Sequence, residues 1–367
     1  MLKILTICGT RPELIRLSET IKKLDTYTNH CLVFTAQSYD YEMSQIFFDE
    51  LGIRKPDYTL DVKADSLAKQ VGNILTQCEE VMTKEKPDTV LVLGDTNSAL
   101  SCYIAKRLGI RVVHMEAGNR CWSESVPEEV NRRIIDHTAD VNLCYTEHAR
   151  RNLLREGLHP SRIFVIGSPL PEVYQANWDA IQKSGIRKEL GLTDKGYLLA
   201  SIHREENVAS GRRLFEIIRA LGTIAKGLSI PVVFSTHPRT KQGLEKHQFV
   251  PNNNVLLHAP FGMLDYVNLQ LGALCCLSDS GTIHEDAAIL GITAVNVRDS
   301  QERPEVYDTG NVVLSGTDEG SIAEAMRLVV EQAKVGAKFD RPMDYRDTNY
   351  SDKAVRIILS SQYGVHR

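Results

Sequence analysis

"MLKILTICGTRPELIRL", residues 1–17, contains a strand, a turn and the start of a helix within one short stretch. The apolar run over residues 2–8 predicts a buried strand, and Gly9 and Thr10 then supply a tight turn. Pro12 suits the first turn of a helix, where the N–H that proline lacks has no partner in any case. A strand that passes through a short turn into a helix is the repeating unit of a parallel α/β sheet.

The same alternation continues along almost the whole chain, with short apolar runs followed by amphipathic segments of helical length. This pattern is typical of parallel strands joined by crossover helices. The predicted strands are "LKILTIC", "CLVFTA", "TVLVLGD", "RVVHME", "VNLCYT" and "RIFVIG", then "YLLASIH", "PVVFSTH", "NVLLHA", "LCCLSD", "TAVNV" and "NVVLSG". We therefore expect an α/β protein with two doubly wound, Rossmann-like sheets.

The chain length of 367 residues exceeds what one hydrophobic core usually supports, which favours about two domains. Gly167, Pro169 and Pro171 interrupt the pattern, and no new strand is predicted before Tyr197. We therefore expect an N-terminal domain over residues 1–170 and a C-terminal domain over residues 171–350. The remaining residues, 351–367, have helical spacing after Ser351, a predicted N-cap, so a closing helix is expected.

Composition and charge limit the partners that the chain would bind. The content of 43% hydrophobic and 25% charged residues, with a net charge of −4, is that of an ordinary globular protein. It gives no electrostatic reason to expect nucleic acid or an anionic membrane as a partner. No apolar stretch approaches the roughly 20 residues of a membrane span. The eight cysteines include no C-x-x-C pair, so a reducing, cytoplasmic location is expected.

Polar residues follow the predicted strands of the first half at their carboxyl ends, where open α/β sheets bind their ligands. Arg11 follows the first strand, and Arg16 lies one turn into the next helix. Asp95 follows "TVLVLG" and Glu116 follows "RVVHM". Because parallel strands end at the same edge of a sheet, we expect these side chains to gather there.

The second half has a corresponding set of polar residues. His203 ends the strand "YLLASIH", and "SDSGTIHEDA" predicts a strand end, a turn of small residues and a helix. The N–H groups at that helix start, with the hydroxyls of Ser280 and Thr282, would form an anion site suited to a diphosphate. The alternative is that these residues only cap the helix.

Three carboxylates, Asp95, Glu116 and Glu128, are candidates for acid–base chemistry. Each alone is explained as a strand-end or helix-start carboxylate bound by local N–H groups. Together they suggest a shared acid–base site. Asp95 and Glu116 end neighbouring strands, and the loop after Glu116 can return Glu128 to them. Carboxylates gathered in this way raise one another's pKa, as general acid–base catalysis requires.

Several cofactor motifs are absent from the sequence. Neither half contains G-x-G-x-x-G after a strand, and there is no G-x-x-x-x-G-K-[ST] phosphate loop. No pair of histidines has the H-E-x-x-H spacing of a zinc site. We therefore expect a protein that needs no nicotinamide cofactor and no metal.

The motifs "GTRPELIR", "LGDTNS", "HMEAGNR", "VPEEVNR", "HREEN", "SDSGTIHEDA" and "ERPE" together resemble the non-hydrolysing UDP-N-acetylglucosamine 2-epimerase family. They follow the family order from Gly9 to Glu305. The resemblance implies a GT-B architecture, with two domains facing across a cleft that binds a nucleotide sugar, and a C-terminal helix that packs back on the first domain. It also implies a homodimer and inversion at C2 of a UDP-N-acetylhexosamine without NAD or metal.

The resemblance further implies roles for individual residues. The positions that match catalytic residues of the family are Asp95, Glu116, Glu128 and His203, the last beside the diphosphate. The positions that match its UDP-binding residues are Arg11, Ser280, Gly281 and Tyr266, the last packing on uracil. Departures also occur, since Arg16 stands where most members have Lys and Asp286 where a ribose-binding Glu is expected.

Further departures concern the substrate. The segments "QSYDYEM" and "DSL" replace Q-H-R-E-M and Q-[ST]-L of the family, and with "MEAGNRCW" they resemble the branch that makes UDP-N-acetyl-L-fucosamine from its talose epimer for surface polysaccharides. The alternative is the interconversion of UDP-N-acetylglucosamine and UDP-N-acetylmannosamine. A GT-B glycosyltransferase, a hydrolysing epimerase and a non-catalytic nucleotide-sugar sensor are the remaining alternatives.

Overall fold

The computed structural model describes residues 1–36, 41–123 and 126–364, with the backbone alone for 41–45 and 361–364. The strands are β1 (Lys3–Cys8), β2 (Asn29–Phe34), β3 (Tyr58–Thr59), β4 (Thr89–Leu93), β5 (Arg111–Met115), β6 (Val141–Cys144), β7 (Ile163–Val165), β8 (Leu198–Ser201), β9 (Val232–Ser235), β10 (Val255–His258), β11 (Cys275–Ser278), β12 (Ala294–Asn296) and β13 (Val312–Leu314).

The α-helices alternate with these strands. They are α1 (Arg11–Tyr27), α2 (Tyr41–Glu50), α3 (Leu67–Glu85), α4 (Cys102–Arg107), α5 (Glu128–Thr138), α6 (Glu147–Arg155), α7 (Leu170–Ala176), α8 (Trp178–Lys183), α9 (Ile186–Glu189), α10 (Glu205–Val208), α11 (Gly211–Leu228), α12 (Pro238–Lys246), α13 (Met263–Gly272), α14 (Thr282–Leu290), α15 (Pro304–Asp308), α16 (Glu319–Lys334) and α17 (Tyr350–Gly364). In the described ranges, none of them combines the length and the apolar character that crossing a bilayer requires.

The strands form two parallel sheets, which confirms the predicted α/β fold with two doubly wound sheets. The first has the order β3-β2-β1-β4-β5-β6-β7 and the second the order β10-β9-β8-β11-β12-β13. All twelve predicted strands are present. The strand β3 was not predicted, because it pairs with the edge of β2 through only two residues and contains no apolar run.

Each sheet has one point where the strand order reverses. In the first sheet this point lies between β1 and β4, and in the second between β8 and β11. The loops after these neighbouring strands leave toward opposite faces of the sheet, so ligands of such folds bind there. The predicted site residues after β1, β4, β8 and β11 therefore lie at or beside the two switch points.

The chain forms two compact units, each with its own core. The first consists of Met1–Ala176 together with the C-terminal segment that starts at Arg346, and the second consists of Asn177–Tyr345. The sequence placed the first boundary near residue 170, which lies at the start of α7. Fully buried strand residues such as Ile7 and Val92 in the first unit, and Leu277 in the second, supply the cores. Each such side chain contributes about 1.5–3 kcal/mol by burial.

The closing helix α17 belongs to the first unit and contacts α1. Ser351, predicted as an N-cap, lies instead in the first turn of α17. Its backbone N–H and its hydroxyl donate to Glu172 at 2.7 and 2.5 Å. Lys23 of α1 forms an ion pair with Asp352 at 2.8 Å. The start of α17 is therefore held by side chains of α1 and α7 rather than by its own serine.

The loop after β5 passes so close to α6 that only glycine fits at position 118. Gly118 has a φ of +82°, in the left-handed region. A Cβ atom there would lie 2.4 Å from the carbonyl oxygen of Ala149 and 3.0 Å from Cγ of Leu153. The first of these neighbours is helix backbone, which cannot move aside without loss of its hydrogen bonds. The glycine therefore sets the path of the loop that follows Glu116.

We expect Gly118→Ala to lower the free energy of unfolding by about 2 kcal/mol or more, because a left-handed φ and a backbone clash add together. Urea unfolding measures this. Gly72→Ala is the matched control, since no atom lies within 4 Å of the new Cβ in the middle of α3. That variant should gain about 0.5–1 kcal/mol from helix propensity. Equal changes in the free energy of unfolding for the two variants would contradict the close approach of Gly118 to Ala149.

Candidate functional site

The turn between β1 and α1 is organised by Glu13, a buried carboxylate in the first turn of α1. Its Oε2 accepts hydrogen bonds from the N–H of Gly9 at 3.1 Å and the hydroxyl of Thr10 at 2.7 Å. Its Oε1 accepts from the hydroxyl of Thr96 at 3.0 Å. Because Thr96 follows β4, Glu13 joins the two loops at the switch point. Burial raises the pKa of Glu13 to about 7, and the hydrogen bonds offset only part of this effect.

The two predicted arginines of α1 lie over aromatic rings. The guanidinium of Arg11 lies 5.6 Å from the centre of the Phe47 ring. Arg16 is buried, and its guanidinium lies 5.6 Å from the centre of the Tyr145 ring. Nε of Arg16 is also 3.7 Å from Oε2 of Glu116. The structure therefore brings Arg16 and Glu116 together.

Glu116 occupies a backbone conformation that few non-glycine residues adopt, with a φ of +67°. Its Oε1 accepts a hydrogen bond from the side-chain amide of Asn119 at 3.2 Å. Its Oε2 accepts from the hydroxyl of Tyr145 at 3.2 Å and faces Arg16. Strained backbone of this kind costs about 1–3 kcal/mol and is concentrated at functional sites.

Asp95 follows β4 and is held by residues of α5. Nε and Nη2 of Arg132 both lie 2.8 Å from Oδ2 of Asp95. The side-chain amide of Asn131 donates to the backbone carbonyl of Asp95 at 2.9 Å. Arg132 is buried and was not predicted as a site residue. It lies four residues after Glu128, the first residue of α5, and residues four apart share one face of a helix. This spacing is the sequence signal that could have predicted it.

The two glutamates that open α5 have different surroundings. Glu129 is buried, and its Oε2 accepts from Nη1 of Arg132 at 2.9 Å and from the N–H of Cys121 at 3.2 Å. Glu128, the predicted catalytic residue, is partly exposed at the N-terminus of the helix. Glu129 therefore stabilises the loop, while Glu128 lies on the helix whose Asn131 and Arg132 hold Asp95.

The loop that carries Glu116 is anchored by the fully buried carboxylate of Asp136. Asp136 contacts Nδ1 of His114 at 2.9 Å, the N–H of Gly118 at 3.2 and 3.3 Å, and Nη1 of Arg120 at 2.8 Å. Burial alone would raise the pKa of Asp136, but the hydrogen bond from His114 and the charge of Arg120 outweigh it and lower the pKa. Sequence reasoning missed Asp136, which reads as an ordinary helical residue.

A similar arrangement holds the loop after β8 in the second unit. Asp279 is fully buried, and its carboxylate accepts from the N–H of His203 at 2.9 and 3.1 Å and from the N–H of Arg204 at 2.9 Å. The side-chain amide of Asn207 also donates to it at 3.1 Å. The His203 side chain is 31% exposed, with Nδ1 at 3.4 Å from Asp279. The imidazole is thus oriented while it remains accessible.

The start of α14 combines local capping with a neighbouring arginine–glutamate cluster. The hydroxyl of Ser280 accepts the N–H of Thr282 at 3.2 Å, so Ser280 does cap the turn locally. Gly281 is the N-cap residue, and a Cβ there would lie 3.8 Å from Nη2 of Arg204. Nη1 of Arg298, a buried arginine that the sequence analysis did not single out, pairs with Glu302 at 2.9–3.0 Å. A Cβ atom at Gly281 would also lie 3.7 Å from Oε2 of Glu302, which places the Arg298–Glu302 pair beside the helix start.

Tyr266 of α13 and Asp286 of α14 share one neighbourhood. Oδ2 of Asp286, which is buried, accepts from Nε2 of Gln270 at 2.8 Å. Tyr266 also lies near Ser201. Desolvation, followed by the proximity of Cys276 and Asp286, raises the pKa of Tyr266. Tyr266 therefore remains a neutral aromatic residue next to a carboxylate.

His284 is a buried residue that connects α14 to α15. Burial lowers its pKa to about 4, so the ring is neutral at pH 7. Its Nδ1 donates to the carbonyl of Gly281 at 3.0 Å, and its Nε2 accepts from the hydroxyl of Tyr307 at 3.0 Å. The sequence analysis assigned it no role. In the described parts of the chain, no three His, Cys, Asp or Glu side chains are grouped to hold a metal ion.

Comparison with known proteins establishes the relationship that these features indicate. A family model described as UDP-N-acetylglucosamine 2-epimerase matches residues 22–359. The chain belongs to the UDP-N-acetylglucosamine 2-epimerase family. Members of this family are isomerases, so the chain is an enzyme of that class.

Individual relatives are similar over nearly their full length. The structure of UDP-N-acetylglucosamine 2-epimerase from Rickettsia bellii is 45% identical with a TM-score of 0.90, covering 98% of this chain and 96% of that one. The epimerase of Methanocaldococcus jannaschii is 33% identical with a TM-score of 0.91, covering 98% and 100%. A Pseudomonas aeruginosa UDP-2,3-diacetamido-2,3-dideoxy-D-glucuronate 2-epimerase is 35% identical over 89% of this chain and 92% of its own length. The two solved structures have the GT-B type fold, which confirms the predicted fold class.

We expect the burial of Glu13 to make stability depend on pH. The folded state holds this proton more tightly than the unfolded state, so the free energy of unfolding falls as pH rises from about 4.5 to 7. Glu13→Gln cannot ionise and should lose less stability than the wild type between pH 5 and pH 8. Urea midpoints at the two pH values measure this.

Glu80→Gln is the control, because Glu80 is exposed on α3 in the same unit. It should keep the pH dependence of the wild type. A Glu13→Gln variant that loses as much stability as the wild type over this range would contradict the assignment.

Proposed function

We propose that the chain inverts C2 of a UDP-N-acetylhexosamine without hydrolysing it, by removing UDP and adding it back. The observation that carries this proposal is the carboxylate of Glu116, held in a left-handed backbone conformation beside Arg16. Glu116 follows β5, and Asp95 follows the neighbouring strand β4. The names of the relatives support the reaction, and the M. jannaschii enzyme has been solved in complex with UDP-GlcNAc and UDP.

The chemistry at C2 explains why a leaving group is needed. The C2 hydrogen is not adjacent to a carbonyl group, so one carboxylate cannot remove it directly at a useful rate. Departure of UDP builds positive charge at C1 and acidifies that hydrogen. A carboxylate takes the C2 proton as the C1–O bond breaks, the oxygen keeps its electron pair, and a C1=C2 double bond forms. UDP then adds back to C1 while a proton is delivered to the opposite face of C2.

Asp95, Glu116 and Glu128 are proposed to carry these protons. Two groups on opposite faces are required, because the proton that leaves and the proton that returns do so from different sides. The contacts of Asp95 with Arg132 and of Glu116 with Arg16 support this role. Each pair holds a loop carboxylate against an arginine of a helix, α5 or α1, and such fixed positions favour efficient proton transfer.

The second unit is proposed to hold the UDP portion. Arg11 and Arg16 of α1 are also proposed as UDP-binding residues, because each places a cation where it could stabilise the diphosphate. His203 and the start of α14, with Ser280, Gly281 and Thr282, would stabilise the negative charge of the departing diphosphate. The guanidinium of Arg204 also lies beside Gly281, together with the carboxylate of Glu302. Tyr266 is proposed to pack on uracil and Asp286 to bind ribose. Their shared neighbourhood supports this pairing.

For the substrate we propose UDP-N-acetyl-L-talosamine, converted to UDP-N-acetyl-L-fucosamine for surface polysaccharide synthesis. The segment "MEAGNRCW", residues 115–122, supports this choice, because it resembles the branch that makes this L-sugar. The segment "QSYDYEM" that also suggested this branch lies outside the residues whose side chains are described. UDP-N-acetylglucosamine is the second candidate, because the names of most relatives support it. The P. aeruginosa relative is named for yet another UDP-sugar, so names within the family do not fix the sugar.

We also propose a cytoplasmic homodimer. Tyr103 on α4 and Val130 and Ile134 on α5 are exposed apolar side chains on two helices that contact each other. A second copy of the chain would cover them. All eight cysteines are free thiols, as is usual in a reducing compartment.

Proton NMR in deuterated water tests the proposal, with UDP-N-acetylglucosamine and UDP-N-acetyl-L-fucosamine in separate samples. We expect deuterium at C2 of the L-sugar alone, with its epimer accumulating. Exchange at C2 of UDP-N-acetylglucosamine alone would support the proposed reaction and show that the proposed substrate is wrong. Exchange in neither sugar would contradict the proposed function.

Matched variants in the same assay test the carboxylates. Asp95→Asn, Glu116→Gln and Glu128→Gln should each lower turnover by at least about 100-fold, since each removes a proton-transferring group. Glu147→Gln is the control, because Glu147 is an exposed residue at the start of α6. Near-normal turnover in all three variants would show that the assignment is wrong.

A further inference from the structure

Tyr145 lies directly after β6 and has no exposed surface. Its hydroxyl donates to Oε2 of Glu116 at 3.2 Å. We infer that Tyr145 is a positioning residue, which holds the Glu116 carboxylate in the orientation that proton transfer at C2 needs. This inference rests on the proposed function and adds a residue that was not among the site residues predicted from the sequence.

The ring of Tyr145 holds a second group against the same carboxylate oxygen. The guanidinium of Arg16 lies 5.6 Å from the ring centre, while its Nε is 3.7 Å from Oε2 of Glu116. A planar guanidinium stacks on an aromatic face, and a lysine ammonium cannot do so in the same way. One side chain therefore acts twice, through its hydroxyl on Glu116 and through its ring on Arg16.

The Tyr145 ring is itself held from another side. The ring of Tyr350, the first residue of α17, meets it edge to face, with the centroids 5.9 Å apart and the planes at 82°. Tyr350 is buried, and the next residue, Ser351, donates twice to Glu172. The closing helix thus restricts rotation of Tyr145, which an isolated hydrogen bond would not do.

These contacts make the two functions of Tyr145 separable. Glu116 has a left-handed backbone and an Asn119 amide on Oε1, so loss of the tyrosine hydroxyl removes one hydrogen bond from Oε2 and leaves the other contacts of the carboxylate in place. Proton transfer requires approach to hydrogen-bond distance, and a less constrained carboxylate spends less time there. Loss of the ring would also release Arg16, which is proposed to contact the diphosphate. The hydroxyl should therefore affect kcat, and the ring should affect KM as well.

The test compares Tyr145→Phe and Tyr145→Leu with the wild type on whichever sugar exchanges deuterium at C2. We expect Tyr145→Phe to lower kcat about tenfold with KM within twofold of wild type, the effect of one hydrogen bond to a charged group. Tyr145→Leu should lower kcat further and raise KM. Tyr27→Phe, the same change at an exposed tyrosine at the end of α1, is the control and should match the wild type. A Tyr145→Phe variant with wild-type kcat would overturn the inference.

A measurement without substrate separates this inference from the proposed function. In a double-mutant cycle of Tyr145→Phe and Glu116→Ala, the changes in urea midpoint should be non-additive, because the two residues share one hydrogen bond. Additive changes would overturn the contact. A wild-type protein that exchanges no C2 proton, with a non-additive cycle, would support the contact but overturn its part in catalysis together with the proposed function.

Discussion

The buried carboxylate of Asp136 is the constraint on which the first unit's site depends. A fully buried charge costs several kcal/mol unless its partners are in place, so His114, Gly118 and Arg120 must all reach Asp136 when the protein folds. These three residues flank Glu116 in sequence on both sides. Satisfying Asp136 therefore forces the intervening loop into one path, which places Glu116 in its left-handed conformation beside β4.

Asp279 performs the corresponding task in the second unit. It too is fully buried, and it binds the N–H groups of two consecutive residues, His203 and Arg204, after the neighbouring strand β8. In both units a charge without access to water is satisfied by loop atoms at or beside the switch point. Two more exposed groups depend on these carboxylates. Asp95 is held by Asn131 and Arg132 of α5, the helix that carries Asp136. His203 lies on the loop that Asp279 holds. Rigid support beneath accessible polar groups is what preorganised catalysis requires.

The sequence predicted the features that depend on local pattern. Apolar runs located twelve strands, and the rule for strand ends located Asp95, Glu116 and His203 at the sheet edges. It missed the features that depend on distant contacts. Arg132 lies 37 residues from Asp95, Tyr145 lies 29 residues from Glu116, and Asp136 lies 22 residues from His114. No spacing rule joins residues so far apart. Only the parallel order of β4, β5 and β6, which the chain sequence leaves open, brings them together.

The central claim is that the carbon–oxygen bond between C1 and UDP breaks and re-forms during epimerisation. Oxygen-18 placed in that bridge, followed by phosphorus NMR of the recovered UDP-sugar, tests it directly. If UDP departs and returns, its β-phosphate can rotate, and the label should spread from the bridge to the non-bridging oxygens as the C2 epimer forms. Accumulation of the epimer over many turnovers with the label entirely in the bridge would contradict the account.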